Sequence, residues 1–107
     1  MTNWSGFNFY KEYIWQRQLH LYEVPFYYIE YGIAQLGAIG VWRNYRRNAQ
    51  EGLKGYKAAL SLGYKAPIRD IYAAANVPFD FSRAHIDELM AFVGEEIKSL
   101  KAGIRKN

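Results

Sequence analysis

The chain has no cysteine among its 107 residues, which excludes disulfides, thiolate catalysis and thiolate zinc sites. Histidine is almost as scarce. His20 and His85 are the only two, and neither lies in an HExxH sequence. Zinc takes three or four His, Cys, Asp or Glu ligands, and no spacing in this chain assembles such a set. Gly37 and Gly40 lie inside an apolar stretch, without the strand–turn–helix setting that a phosphate loop requires. Ser5, Ser61, Ser82 and Ser99 sit in no nucleophile elbow. Glu95 and Glu96 are adjacent carboxylates, and adjacent positions on a helix do not face each other. The segment Met1–Gly6 has no basic region followed by an apolar core, so no secretory leader is expected and a cytoplasmic location is the default.

Aromatic side chains are what the chain has in excess. Ten Tyr, six Phe and three Trp supply a large area that must enter a core, a binding groove or a partner. The formal net charge is +4. Its basic residues fall partly in a cluster (Arg43, Arg46, Arg47) and partly in a tail (Lys98, Lys101, Arg105, Lys106). Both are read as solvated faces or helix C-termini, where cations complement the dipole. Nucleic-acid binding is therefore not expected.

Periodicity predicts an all-α chain of about five helices in a single domain spanning 1–107, with one long apolar central helix. Phe7 to about Leu21 carries apolar residues close to helical spacing. Val24-Pro25 interrupts it, and Pro25 suits the first turn of the central helix, which runs to Arg46 or Arg47. Gly32, Gly37 and Gly40 in that helix suggest close approach of neighbouring helices. Asn48 with Glu51 has capping-box spacing for a third helix ending at Gly63. Ala66-Pro67 opens a fourth helix ending near Asn76, and Val77–Phe81 is an extended link. Ser82 caps a last helix with an Ile86, Leu89, Met90, Val93, Ile97, Leu100 stripe. His85, beside Asp87 and Glu88 in its first turn, is read as a surface residue. From Val24 to Trp42 only Glu30 and Gln35 are strongly polar, and arginines follow. That could suit a membrane span, but Glu30 and the tyrosines favour a helix buried among other helices.

The stretch His20-Leu21-Tyr22-Glu23-Val24-Pro25-Phe26-Tyr27-Tyr28-Ile29-Glu30-Tyr31 holds the chemistry-bearing side chains. On a helix opened by Pro25, Tyr27 and Tyr31 are i,i+4 neighbours and Tyr28 and Tyr31 are i,i+3 neighbours. Imidazole and phenol groups gathered on one side can line a site for a polar ligand.

From Trp15-Gln16-Arg17-Gln18-Leu19-His20 through Trp42, the chain resembles the C-terminal part of the oligoendopeptidase F group, a branch of the thimet-oligopeptidase-like zinc metallopeptidases. The resemblance rests on His20, on Pro25-Phe26-Tyr27-Tyr28-Ile29-Glu30-Tyr31, and on Gly32-Ile33-Ala34-Gln35-Leu36-Gly37-Ala38. Trp42, Tyr56, Leu60, Gly63 and Phe79-Asp80-Phe81-Ser82 also fit, so it covers about Trp4 to Ile97. It implies a largely helical enzyme that cleaves short peptides in a deep channel. Zinc would be held there by the two histidines of HExxH and a distant glutamate. By that resemblance His20, Tyr28 and Tyr31 are candidate oxyanion and substrate donors, and His20, Tyr27, Tyr28 and Tyr31 candidate substrate-binding residues. This chain lacks HExxH, so it is expected to bind no cofactor by itself and to have no peptidase activity alone. The expected partners are a peptide substrate and either a second copy or a complementary chain carrying the zinc motif. A stand-alone helical peptide-binding or protein-interaction module is the alternative.

Overall fold

A computed structural model describes residues 3–104, and Arg105 and Lys106 of the basic tail lie outside the described residues. The chain is all-α. Among the described residues there are six α-helices, two short 3-10 segments and no strand. They are α1 (Asn8–Glu12), α2 (His20–Glu23), α3 (Ile29–Arg47), α4 (Ala49–Leu62), α5 (Ile68–Ala74) and α6 (Arg83–Ile104). No helix among these residues is long and apolar enough to cross a membrane. Within the 1–107 span, contacts gather into two compact units, one ending at Gly32 and the other starting at Ile33.

The helix expected over Phe7–Leu21 is broken into α1, a 3-10 segment at Ile14–Arg17, and α2. The reason lies in its residues. Phe7, at the α1 N-cap, has no side-chain oxygen to accept a backbone N–H, and no capping bond forms. The aromatic run that follows has only middling helix propensity. Every residue of these three elements keeps some solvent exposure.

Pro25 does not open the central helix. Val24 before it is extended (φ −132°, ψ 93°), as a residue preceding proline prefers. Phe26 then adopts φ +64°, in the left-handed region that a bulky side chain rarely enters. Two turns follow, with Tyr27 N–H donating to Val24 C=O (3.2 Å) and Glu30 N–H to Tyr27 C=O (3.0 Å). The helix proper starts at Ile29. Nor is it buried on all sides: Gly40 and Arg43 are its only buried residues.

The second unit is built from local signals that hold. Asn48 Oδ1 accepts from Glu51 N–H at 3.2 Å, capping α4. Gly63 closes α4 with φ +51°. Asn76, after α5, takes φ +55°, a conformation asparagine tolerates. The polypeptide from Val77 to Phe81 has no regular structure. Ser82 Oγ accepts from His85 N–H at 3.3 Å at the start of α6.

Three kinds of contact tie these helices together. Asn44 Nδ2 donates to the carbonyls of Ala75 (3.2 Å) and Asn76 (2.8 Å), joining α3 to the end of α5. Tyr72 O–H donates to Ile33 C=O at 2.8 Å. Close approach supplies the third. A Cβ at Gly52 would lie 2.6 Å from Tyr45 Cα, so only glycine lets α4 fold back against the end of α3. Gly40 is equally tight against Val77, whereas Gly32 has nothing within 4 Å and serves no packing role. Among the described residues the buried apolar ones are few: Ala59, Ala75, Val77 and Leu89, with Leu89 alone fully enclosed.

Two residues read as surface are buried. Arg43 is 7% exposed and His85 8%. Arg43 on α3 meets Glu88 on α6, and His85 lies one turn before Glu88. Arg43 Nη1 lies 2.8 Å from Glu88 Oε1, and Arg47 Nη2 lies 3.7 Å from the same oxygen. His85 Nδ1 is 3.9 Å from Glu88 Oε2. The Arg43–Glu88 contact is ionic without directed alignment, so Nη1 and Nε of Arg43 both lack a hydrogen-bond acceptor. One carboxylate thus compensates a buried guanidinium. Farther along, Arg46 Nε donates to Glu96 Oε1 at 2.9 Å, and Trp42 packs edge-on to Phe92 at 4.8 Å.

Glu88→Gln should lower stability by about 2 kcal/mol, between the surface-pair and buried-pair ranges because the Glu88 side chain is half exposed. Urea unfolding is the check, with Lys54→Gln as a surface control that should change little. A second expectation concerns acid. Asp80 accepts from Ser82 N–H (2.8 Å) and Ser82 O–H (3.0 Å), and these bonds, with a smaller contribution from nearby His85, hold its carboxyl below the ordinary value. A depressed folded-state pKa contributes stability above the unfolded value, and that contribution fades as pH falls through the folded value. NMR titration of Asp80 should show an upward move of its midpoint in Ser82→Ala, and a shallower acid loss of stability.

Candidate functional site

The chain reversal from Val24 to Tyr28 gives the first unit its most organised feature. Helix α2 starts at His20, supported by Tyr22 and Glu23 N–H groups that donate to Leu19 C=O at 2.9 Å. After the reversal, Tyr27, Tyr28 and Tyr31 come back against the imidazole. His20 and Tyr27 rings lie nearly parallel (6.1 Å, 13°). His20 and Tyr31 meet edge to face (5.6 Å, 78°), and Tyr28 and Tyr31 are tilted at 5.3 Å. Tyr27 and Tyr31 are also edge to face at 6.4 Å. All four candidate residues therefore come together, although Tyr27 and Tyr28 occupy the turn and not the helix.

The polar atoms of this cluster are partly committed. His20 Nε2 and Tyr31 Oη are 3.3 Å apart, while His20 Nδ1 is buried with no partner among the described residues. The contact has two protonic forms. With the proton on Nδ1, Tyr31 O–H donates to Nε2 and a buried N–H is left unsatisfied. With the proton on Nε2, that N–H donates to Tyr31 Oη, and the phenol O–H is free to donate elsewhere. The second form leaves only a lone pair orphaned. It presents Tyr31, 49% exposed, as an outward donor reinforced from behind by the imidazole.

Phe26 adds a local cost. A non-glycine residue in the left-handed region costs about 1–3 kcal/mol, and such residues gather at ligand sites. Phe26 is also 94% exposed, so its side chain recovers almost nothing by burial. The strain goes into the reversal that places the tyrosines against His20.

No group of three or more His, Asp or Glu side chains that could hold a metal comes together among the described residues.

Sequence reasoning left two other features unnoticed. Trp4, Phe9, Tyr10, Tyr13, Ile14, Gln16 and Arg17 line an open surface cavity of about 650 Å³ within the first unit. The signal was available as an aromatic run ending in Gln16-Arg17, but a continuous helix would have distributed those rings around its circumference. In the second unit, an apolar cavity of about 210 Å³ lies among α3, α4 and α5, lined by small residues such as Gly37, Ala38 and Ala59 beside Tyr72. Burial pushes the Tyr72 phenol up, in keeping with its hydroxyl being spent on Ile33.

A double-mutant cycle of His20→Ala and Tyr31→Phe should return a coupling of about 0.5–1 kcal/mol, read by urea unfolding followed through tyrosine signals. Strict additivity would mean that the 3.3 Å contact contributes nothing. No protein-family model, curated protein or solved structure matches this chain.

Proposed function

We propose that this chain is the substrate-facing C-terminal segment of an oligoendopeptidase-F-like zinc metallopeptidase, inactive by itself. The observation that supports this reading is the convergence of His20, Tyr27, Tyr28 and Tyr31, with Tyr31 Oη 3.3 Å from His20 Nε2. In a peptidase, hydrogen-bond donors fixed before reaction stabilise the oxyanion that forms as water attacks the scissile carbonyl. Tyr31 is the donor that His20 can reinforce. Tyr28, beside it, is a second phenol for the same charge or for a peptide carbonyl, and Tyr27 holds the imidazole plane by stacking. Zinc and the water-activating glutamate would be supplied by another chain or another part of the protein.

The exposed aromatic surface of the first unit fits a segment that works against a covering body. Phe9, Tyr10, Leu19, Tyr22 and Phe26 are all more than half exposed. The same exposure suits the alternative reading, a helical module that binds a peptide or a partner without catalysis.

One experiment separates the two. The chain is mixed with an oligoendopeptidase-F-like core that carries HExxH but lacks its own closing helices, and cleavage of a short fluorogenic peptide is followed. Zinc-dependent cleavage should return, and Tyr31→Phe or His20→Ala should reduce it by about 10²–10³-fold, as loss of an oxyanion donor does. Cleavage that returns equally with both variants rejects the oxyanion role. Peptide binding without any restored cleavage favours the module.

A further inference from the structure

The open cavity in the first unit lies outside the His20 cluster and shares none of its residues. At about 650 Å³ it falls within the range of small-molecule sites. Phe9 and Tyr13 pack at 4.8 Å in a tilted arrangement, and Phe9 and Tyr10 meet edge to face at 5.8 Å. These rings, with Trp4 and Ile14, make the lining largely apolar. Two polar side chains interrupt it, Gln16 and Arg17, at the end of the 3-10 segment.

Arg17 is the only charged group in the lining, and it has no ion-pair partner among the described residues. The neighbouring charges on α1, Lys11 and Glu12, are not part of the wall. A guanidinium presents a planar fork of donors matched to a carboxylate. A phosphate dianion would ordinarily call for more than one cation. Aromatic walls favour an aromatic ligand, since offset and edge-to-face ring contacts add to the area buried.

We infer that this cavity binds an aromatic monocarboxylate, with the carboxylate on the Arg17 guanidinium and the ring among Phe9, Tyr10 and Tyr13. Gln16 supplies an amide for the ligand's remaining polar atom. Size and charge together set the class: one ring, one carboxylate, no second anion.

The probes are N-acetylphenylalanine and its neutral amide, titrated into the intact chain by calorimetry, with inorganic phosphate as a third arm. The acid should bind saturably, and the amide about tenfold more weakly or worse, the loss expected for a charge-assisted bond. Arg17→Gln should weaken the acid by a similar factor while leaving the amide unchanged, and Arg17→Lys should recover part of the loss. Equal binding of acid and amide overturns the assignment, as does phosphate binding as tightly as the acid. Absence of saturable binding by the acid also overturns it. The acid–amide comparison uses only the native chain, so the assignment stays testable if Arg17→Gln fails to fold.

Discussion

The contact of Glu88 with Arg43 carries more of the second unit than its single distance suggests. Arg43 sits where α3 meets α6, in a region whose fully enclosed apolar side chains reduce to Leu89. With so little aliphatic core, the position of α6 cannot be set by shape complementarity alone. A buried guanidinium fixes it instead, because the charge is tolerable only where a carboxylate reaches it. Glu88 serves that need through Oε1, the oxygen that Arg47 Nη2 also approaches at 3.7 Å. His85, one turn before it, is buried as well and lies 3.9 Å from the other Glu88 oxygen. Remaining contacts such as Trp42 on Phe92 and Arg46 on Glu96 follow once the helices are in that register.

This explains which parts of the fold were legible in the sequence. Caps were legible because their physics is local: Asn48 with Glu51, Gly63, and Ser82 with His85 N–H each involve residues within a few positions. The burial of Arg43 and His85 was not. Each reads locally as part of a solvated run, and for Arg43 the partner is Glu88, on a helix far along the chain. The long helix misled for a related reason. Its low polarity suggested burial on every side, whereas Gly37 and Gly40 admit Tyr72 and Val77 on one side and much of the remaining surface stays open.

The His20 cluster was legible in composition and in the Tyr27–Tyr31 and Tyr28–Tyr31 pairings, but the helix start expected at Pro25 was not observed. The i,i+4 and i,i+3 neighbours do pair, although Tyr27 and Tyr28 lie in the turn before the helix. The actual device is a chain reversal, with Val24 extended ahead of the proline and Phe26 forced to positive φ. The turn sends Tyr27 and Tyr28 back toward His20, where helical periodicity alone would have aimed adjacent residues apart. Proline was correctly read as an interruption, but its effect extends three residues beyond itself.

The two units use aromatic residues in opposite ways. In the second, Tyr72, Phe79 and Phe81 pack edge-on in sequence and Tyr72 also anchors α3 through its hydroxyl. In the first, rings pack mainly on one another and stay exposed, so they give geometry without much burial. Such ring pairs contribute about 0.5–1.5 kcal/mol each beyond area burial. Ordering the backbone costs about 1–2 kcal/mol per residue. With no cysteine to restrain the unfolded chain, the first unit has little surplus. An occupant that covers its rings stabilises it by mass action, in proportion to how far its concentration exceeds its dissociation constant. Binding of such an occupant would therefore be linked to local order in this unit, because the rings it would cover are those the fold leaves exposed.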